Sequence, residues 1–107
     1  MNLTHPPHLP AEHELGALAE IFSIFADSTR IRIICALEGG ERNVGDICAA
    51  LEMSQPAISH QLRILKGARV LKSRREGRNI LYALDDSHVS AILRMGLLHV
   101  REEDCDE

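Results

Sequence analysis

A chain of 107 residues, 45% hydrophobic and 26% charged, has the composition of one ordinary globular domain and leaves no room for a second core. No apolar run approaches the roughly 20 residues needed to span a bilayer, and Met1–Pro10, with three prolines and two histidines but no basic or apolar signal region, reads as an untargeted, loosely ordered arm. Cys35, Cys48 and Cys105 are odd in number and form no Cys-x-x-Cys pair, which excludes a disulfide framework and a thiolate zinc knuckle, so a cytoplasmic location is expected, with Cys35 and Cys48 as core packing.

Helical periodicity dominates the first two thirds. Leu15, Leu18, Phe22 and Phe25 recur at three- and four-residue intervals and predict a helix over Ala11–Ala26 with one apolar stripe. Asp27 is placed to cap a second helix that turns Ile31, Ile34 and Leu37 inward and stops at Gly39-Gly40, where left-handed backbone costs least. Asn43 caps a third, with Val44, Ile47 and Leu51 on its buried side and Asp46 in the first turn, where a negative charge favours the helix dipole. Ser54 caps a fourth over Gln55–Gly67, with Pro56 tolerated in the first turn and Ile58, Leu62 and Leu65 packed inside.

The apolar period then drops from 3.6 to 2. Val70–Arg75 and Arg78–Leu84, with Ile80, Tyr82 and Leu84 on one side and Glu76-Gly77 between the runs, predict a basic β-hairpin. Asp85-Asp86 caps a last helix over Ser87–Asp104, and Glu102–Glu107 is an acidic end. The expected fold class is mainly α with a β-hairpin wing, in the order α-α-α-α-β-β-α. This is a winged helix-turn-helix over residues 11–104, flanked by an arm of residues 1–10 and a tail of residues 105–107.

A net charge of −4 looks wrong for a nucleic-acid binder until it is divided along the chain. Seven of the twelve basic residues lie between Arg63 and Arg78, and Glu76 is the one acid between Ser54 and Ile80, so positive field is focused on one surface of an acidic protein. On the fourth helix Pro56, Ser59, His60 and Arg63 point away from the buried stripe, and Gln55 stands at its N-terminus, offering polar groups to base edges in a major groove. Lys72, Arg74, Arg75 and Arg78 on the hairpin suit phosphates, whose neutralisation makes affinity salt-dependent.

At these residues the sequence resembles the ArsR/SmtB family of metal-responsive repressors. The resemblance rests on Phe25-Ala26-Asp27-Ser28-Thr29-Arg30-Ile31-Arg32-Ile33, Val44-Gly45-Asp46-Ile47, Ser54-Gln55-Pro56-Ala57-Ile58-Ser59-His60-Gln61-Leu62-Arg63, Glu76-Gly77-Arg78 and Tyr82-Ala83-Leu84, and it covers roughly residues 14–102. It implies a homodimer that binds double-stranded operator DNA at an inverted repeat near genes for metal efflux or storage. One departure is Pro56, where the family often has serine.

The last helix carries a second constellation. His88, Ile92, Met95, His99 and Glu102 follow a 4-3-4-3 spacing and share one stripe, while Val89, Leu93, Gly96 and Val100 form another that can pack on the chain's own domain. His88 and His99 are about 16 Å apart along one helix, too far to share an ion. An antiparallel, two-fold related helix that sets His88 opposite His99 also sets Ile92 opposite Met95 and brings Asp86 within one register step of Glu102. Asp86 and His88 of one chain then meet His99 and Glu102 of the other, in two symmetric sites of two nitrogens and two oxygens. Imidazole and carboxylate donors suit zinc or cobalt.

The spacing Asp86-x-His88-x10-His99-x2-Glu102 looks like the family's zinc site on the last helix, and all four residues carry over as metal ligands. The family's thiolate site would need a cysteine near position 43, where this chain has Asn43-Val44-Gly45, so arsenic or lead sensing of that type is disfavoured. The resemblance also implies that His99 donates its second N–H to a backbone carbonyl near Arg69. Alternatives remain: the histidines could merely cap and pad a dimer helix, and His5, His8 and His13 could add ligands for a nickel or cobalt sensor or be inert. A redox switch on Cys48 or Cys105 would need no metal. A hydrolase is disfavoured, because four protein ligands close a tetrahedral site to water and no nucleophile–base arrangement is present.

Overall fold

The computed structural model describes residues 9–105, with side chains as far as residue 102, so His5 and His8 lie outside the described residues, as does the Cys105 side chain. The elements run α1 (Glu12–Phe25), α2 (Ser28–Ala36), β1 (Arg42–Asn43), α3 (Val44–Leu51), α4 (Gln55–Gly67), β2 (Leu71–Glu76), β3 (Asn79–Leu84) and α5 (Ser87–Cys105). This is the expected winged helix-turn-helix with one added strand, β1. Two residues are too few to show a period in sequence. Among the described residues no helix is long and apolar enough to cross a membrane.

Local chemistry starts the helices where the sequence places their caps. Asp27 Oδ1 accepts from the N–H groups of Thr29 and Arg30 at 2.9 and 3.2 Å, and Asn43 Oδ1 accepts from Asp46 at 2.8 Å. Ser54 Oγ accepts from Ala57 at 3.4 Å, and Asp86 Oδ1 from His88 and Val89 at 2.8 and 3.3 Å. Each satisfies an amide that a first helical turn leaves without a partner. In α1 the side chain of Glu14 does this work instead, accepting from the Ala11 N–H at 2.9 Å.

Two helices end on left-handed residues that are not glycine, Glu52 after α3 (φ 55°) and Arg69 after α4 (φ 63°). They let the Met53 N–H reach the Cys48 carbonyl and the Val70 N–H reach the Leu65 carbonyl, closures that reverse the chain abruptly. The first makes the tight turn between α3 and α4. The second throws the chain directly from α4 into the wing.

The sheet is antiparallel in the order β1-β3-β2. Glu76 pairs with Asn79, so the hairpin turn is Gly77-Arg78, one residue later than expected, and Gly77 (φ 63°) supplies the positive φ that a two-residue hairpin needs at its first central position. Arg42 pairs with Tyr82 and Asn43 with Leu81, which ties the wing to the start of α3.

The core is built from Ile33, Ile34, Ile47, Ile58, Leu62 and Leu65, all essentially inaccessible, and α5 joins it through Val89 and Leu93. Three expectations are corrected. Cys35 is exposed, because Ile33 and Ile34 take the inward positions of α2, whereas Cys48 packs against the core. The α1 stripe of Leu15, Leu18 and Phe22 is exposed, leaving Ile24 buried with Ile21 and Phe25 beside it. On α5, Gly96 and Val100 stay exposed at an apolar cleft they share with Phe25 and Ile31 and do not close on the core; Leu97 does. The cause is length: nineteen residues make a rod of about 28 Å, and α5 runs past the edge of the core that buries its first half.

Candidate nucleic-acid interface and metal centre

α4 divides cleanly by face. Ile58, Leu62 and Leu65 anchor it in the core, and on the outer side Gln55, Pro56, His60 and Arg63 are exposed while Ser59 is half-buried. Its roll is set by a polar clamp as well as by packing, since Arg30 Nε of α2 donates to Gln61 Oε1 at 3.0 Å. A short, rigidly held helix with a polar outer face at the exit of a tight turn has the geometry to enter a major groove.

The wing separates four basic residues that look equivalent in sequence. Strand alternation puts Lys72 and Arg74 on one face, with Leu81 and Ala83 across from them, and Arg75 on the other beside Ile80. Arg78 sits in the turn. Arg74 is already engaged: its Nε and Nη2 donate to the two carboxylate oxygens of Glu41 at 2.6 and 2.8 Å, and Nη1 donates to Glu76 at 3.3 Å. The hydrogen bond from Arg74 holds the Glu41 carboxyl below its ordinary value against an opposing effect of desolvation, and Glu41 in turn raises Arg74. Among the described residues Lys72, Arg75 and Arg78 are exposed cations without a bidentate carboxylate of this kind, although the charge of Lys72 also acts on Glu41.

The candidate metal ligands fall into two halves. Asp86 Oδ2 lies 3.2 Å from His88 Nδ1, so these two donors are together at the start of α5. Burial works to raise the Asp86 carboxyl, but the hydrogen bonds from the His88 imidazole and from the His88 and Val89 amides outweigh it and lower the pKa, keeping the group anionic. His99 and Glu102 are exposed one turn apart near the other end and line an apolar groove of ≈ 880 Å³ with Phe22, Ile92, Met95 and Leu98. Among the described residues no three His, Cys, Asp or Glu side chains converge within one chain. The donor chemistry fits a borderline cation, and each half lacks the donors that the other carries.

A family model for bacterial regulatory proteins of the arsR family matches residues 27–73, from the cap of α2 into β2. Over 98 residues the chain is 42% identical to the transcriptional repressor SmtB homolog of Synechocystis sp., covering 92% of this chain and 74% of that protein. The chain belongs to the ArsR family. Among solved structures, the AntR antimony-specific transcriptional repressor is similar with a TM-score of 0.81 and 32% identity, over 97% of this chain and 96% of that one. A homodimeric winged helix-turn-helix DNA-binding domain from Mycobacterium bovis gives a TM-score of 0.83 over 94% of this chain and 95% of that one, and at 23% identity it speaks for the fold alone.

This ArsR-family protein is therefore a DNA-binding transcriptional regulator and not an enzyme. Several participants escaped the sequence reading. Lys66 and Arg69 are exposed at the end of α4 and extend its basic edge; the run of bases from Arg63 contained that signal. Glu41 is remote from Arg74 in sequence, so no spacing rule pairs them. Leu98 on α5 is 52% exposed and Phe22 on α1 56%, and only the finished packing shows that their apolar faces are left uncovered. Partial burial, aided by Glu38 and opposed by Arg101, raises the Cys35 thiol, which makes it a poor thiolate for redox chemistry.

Proposed function

We propose that this regulator is a cytoplasmic repressor that binds an inverted-repeat operator as a metal-free homodimer and releases it on binding zinc, derepressing genes for metal efflux or storage. Asp86 and His88 of one protomer, with the partner's His99 and the partner's Glu102, would hold zinc at two symmetric sites. Gln55, Ser59, His60 and Arg63 read the groove, and Lys72, Arg75 and Arg78 meet phosphates. The observation that carries the reading is the outer face of α5, where two incomplete donor pairs flank the exposed apolar residues Ile92 (39%) and Met95 (67%). An antiparallel copy of the same helix covers the apolar middle and completes both ends at once.

Relatives support an ion as effector: the CadC homolog of Staphylococcus aureus, 39% identical over 79% of this chain and 71% of that protein, is named for cadmium resistance, and AntR for antimony. No cysteine belongs to the donor set on α5 proposed here, and nitrogen with oxygen favours zinc over thiophilic ions. Zinc and DNA each weaken the other by one coupling factor, about 5- to 150-fold in allosteric proteins. The test is operator binding followed by fluorescence anisotropy under zinc, cobalt and nickel titration. Zinc is expected to lower operator affinity, and His88→Ala/His99→Ala to abolish that response; undiminished binding at saturating zinc rejects the reading.

A further inference from the structure

We infer that α2 transmits the position of α5 to the recognition helix α4, with Glu38 as the coupling residue. The biological use of this relay rests on the zinc reading above, but its geometry does not. Glu38 lies in the turn that follows α2, and α5 engages both of its carboxylate oxygens: Ser90 Oγ donates to Oε2, and Arg94 Nε lies 3.6 Å from Oε1. Ser90 and Arg94 are one helical turn apart, some 200–240° around the helix from His88 and about 140–180° from His99, on the side of α5 turned away from both candidate histidines. A partner helix pulling on the ligand face therefore moves the residues that grip Glu38.

Glu38 is tied to α2 in turn, because its N–H donates to the Cys35 carbonyl at 3.2 Å. From there α2 is a stiff element of nine residues whose Ile33 and Ile34 are completely buried, so a push at one end cannot be absorbed by loose packing. At the opposite end Arg30 Nε holds Gln61 Oε1 of α4 at 3.0 Å, both side chains half-buried. Two polar clamps thus hold a helix anchored by its buried isoleucines, one from α5 on the turn at its C-terminal end and one from the candidate recognition helix α4 near its N-terminal end. A shift of α5 reaches α4 as a tilt or roll of α2, the small-displacement transmission that close-packed helices support.

The test compares wild type, Glu38→Ala and Ser90→Ala as full-length proteins, the second variant guarding against a folding defect in the first. Operator affinity without zinc should stay within about 3-fold, while the zinc-induced loss of affinity shrinks by at least about 5-fold. Wild-type coupling in both variants overturns the relay. A second measurement needs no zinc: amide exchange in α4 of the metal-free protein should quicken about 3- to 10-fold relative to β2 and β3 in Glu38→Ala and in Arg30→Ala. If wild type itself ignores zinc, the effector reading falls, and the exchange result alone decides the relay: unchanged α4 protection in Glu38→Ala overturns it.

Discussion

α4 and α5 are both amphipathic, yet they are finished differently. α4 has its apolar face sealed by its own chain, with Ile58, Leu62 and Leu65 no more than 1% exposed, and a mainly polar face left outward, Pro56 excepted. α5 buries Val89 and Leu93 at 7% each and leaves Met95, Leu98 and Val100 more than half exposed beside incomplete donor pairs. By this contrast the candidate DNA-reading helix has its apolar face closed within a single chain, whereas the candidate sensing helix leaves its own apolar face open. A helix that ends its apolar stripe inside its own core can work as a rigid reader; one that overshoots the core becomes an interface.

The sharpest way to break this comparison is to mutate each helix at its apolar face. Leu62→Ala should lower unfolding stability by about 3 kcal/mol in urea melts, the cost of a cavity in a closed core, and an equal loss from Met95→Ala would erase the distinction. Met95→Glu should weaken dimerisation by at least about 100-fold, since an unpaired carboxylate would enter an apolar contact. Sedimentation is the check, and helical content measured by circular dichroism should persist. A stable Met95→Glu dimer would place the interface elsewhere.

Smaller effects refine the reading side. Arg75→Ala and Arg78→Ala should each reduce the slope of log affinity against log salt by about 0.9 per protomer. Arg74→Ala should reduce it less, because Glu41 and Glu76 already balance its charge. An Arg74→Ala slope change as large as that of Arg75→Ala would make Arg74 a phosphate ligand after all. Asp27→Ala should cost about 1 kcal/mol through the lost cap of α2, measured by thermal denaturation. Least of all, Glu52→Gly should be neutral or stabilise by up to about 1 kcal/mol, by relieving a left-handed residue in the helix-turn-helix turn.

As a structural element α4 was almost wholly legible in sequence. Ser54, Ile58, Leu62 and Leu65 define the bounds and buried face of α4 by capping and by period 3.6, both local properties. The stripe of candidate donors on α5 was legible as spacing, but the expected packing of Val100 on its own domain does not occur, because periodicity says which residues share a face and not where the core stops. The wing shows the same limit. Arg74 and Arg75 are neighbours with the same charge, but pleating sends them to opposite faces, and only the sheet brings Glu41 to one of them.

What the amino-acid order determined by itself was everything governed by near neighbours: four side-chain caps, the hairpin, the fold class, and the stripe of His88, Ile92, Met95, His99 and Glu102. What only tertiary structure decided was which apolar faces are covered, which cations are balanced, and how Glu38 and Arg30 bind α2 to α5 and α4. The division is physical. Backbone amides and helical period act over a few residues, whereas burial and charge pairing depend on segments that the folded chain alone brings into contact.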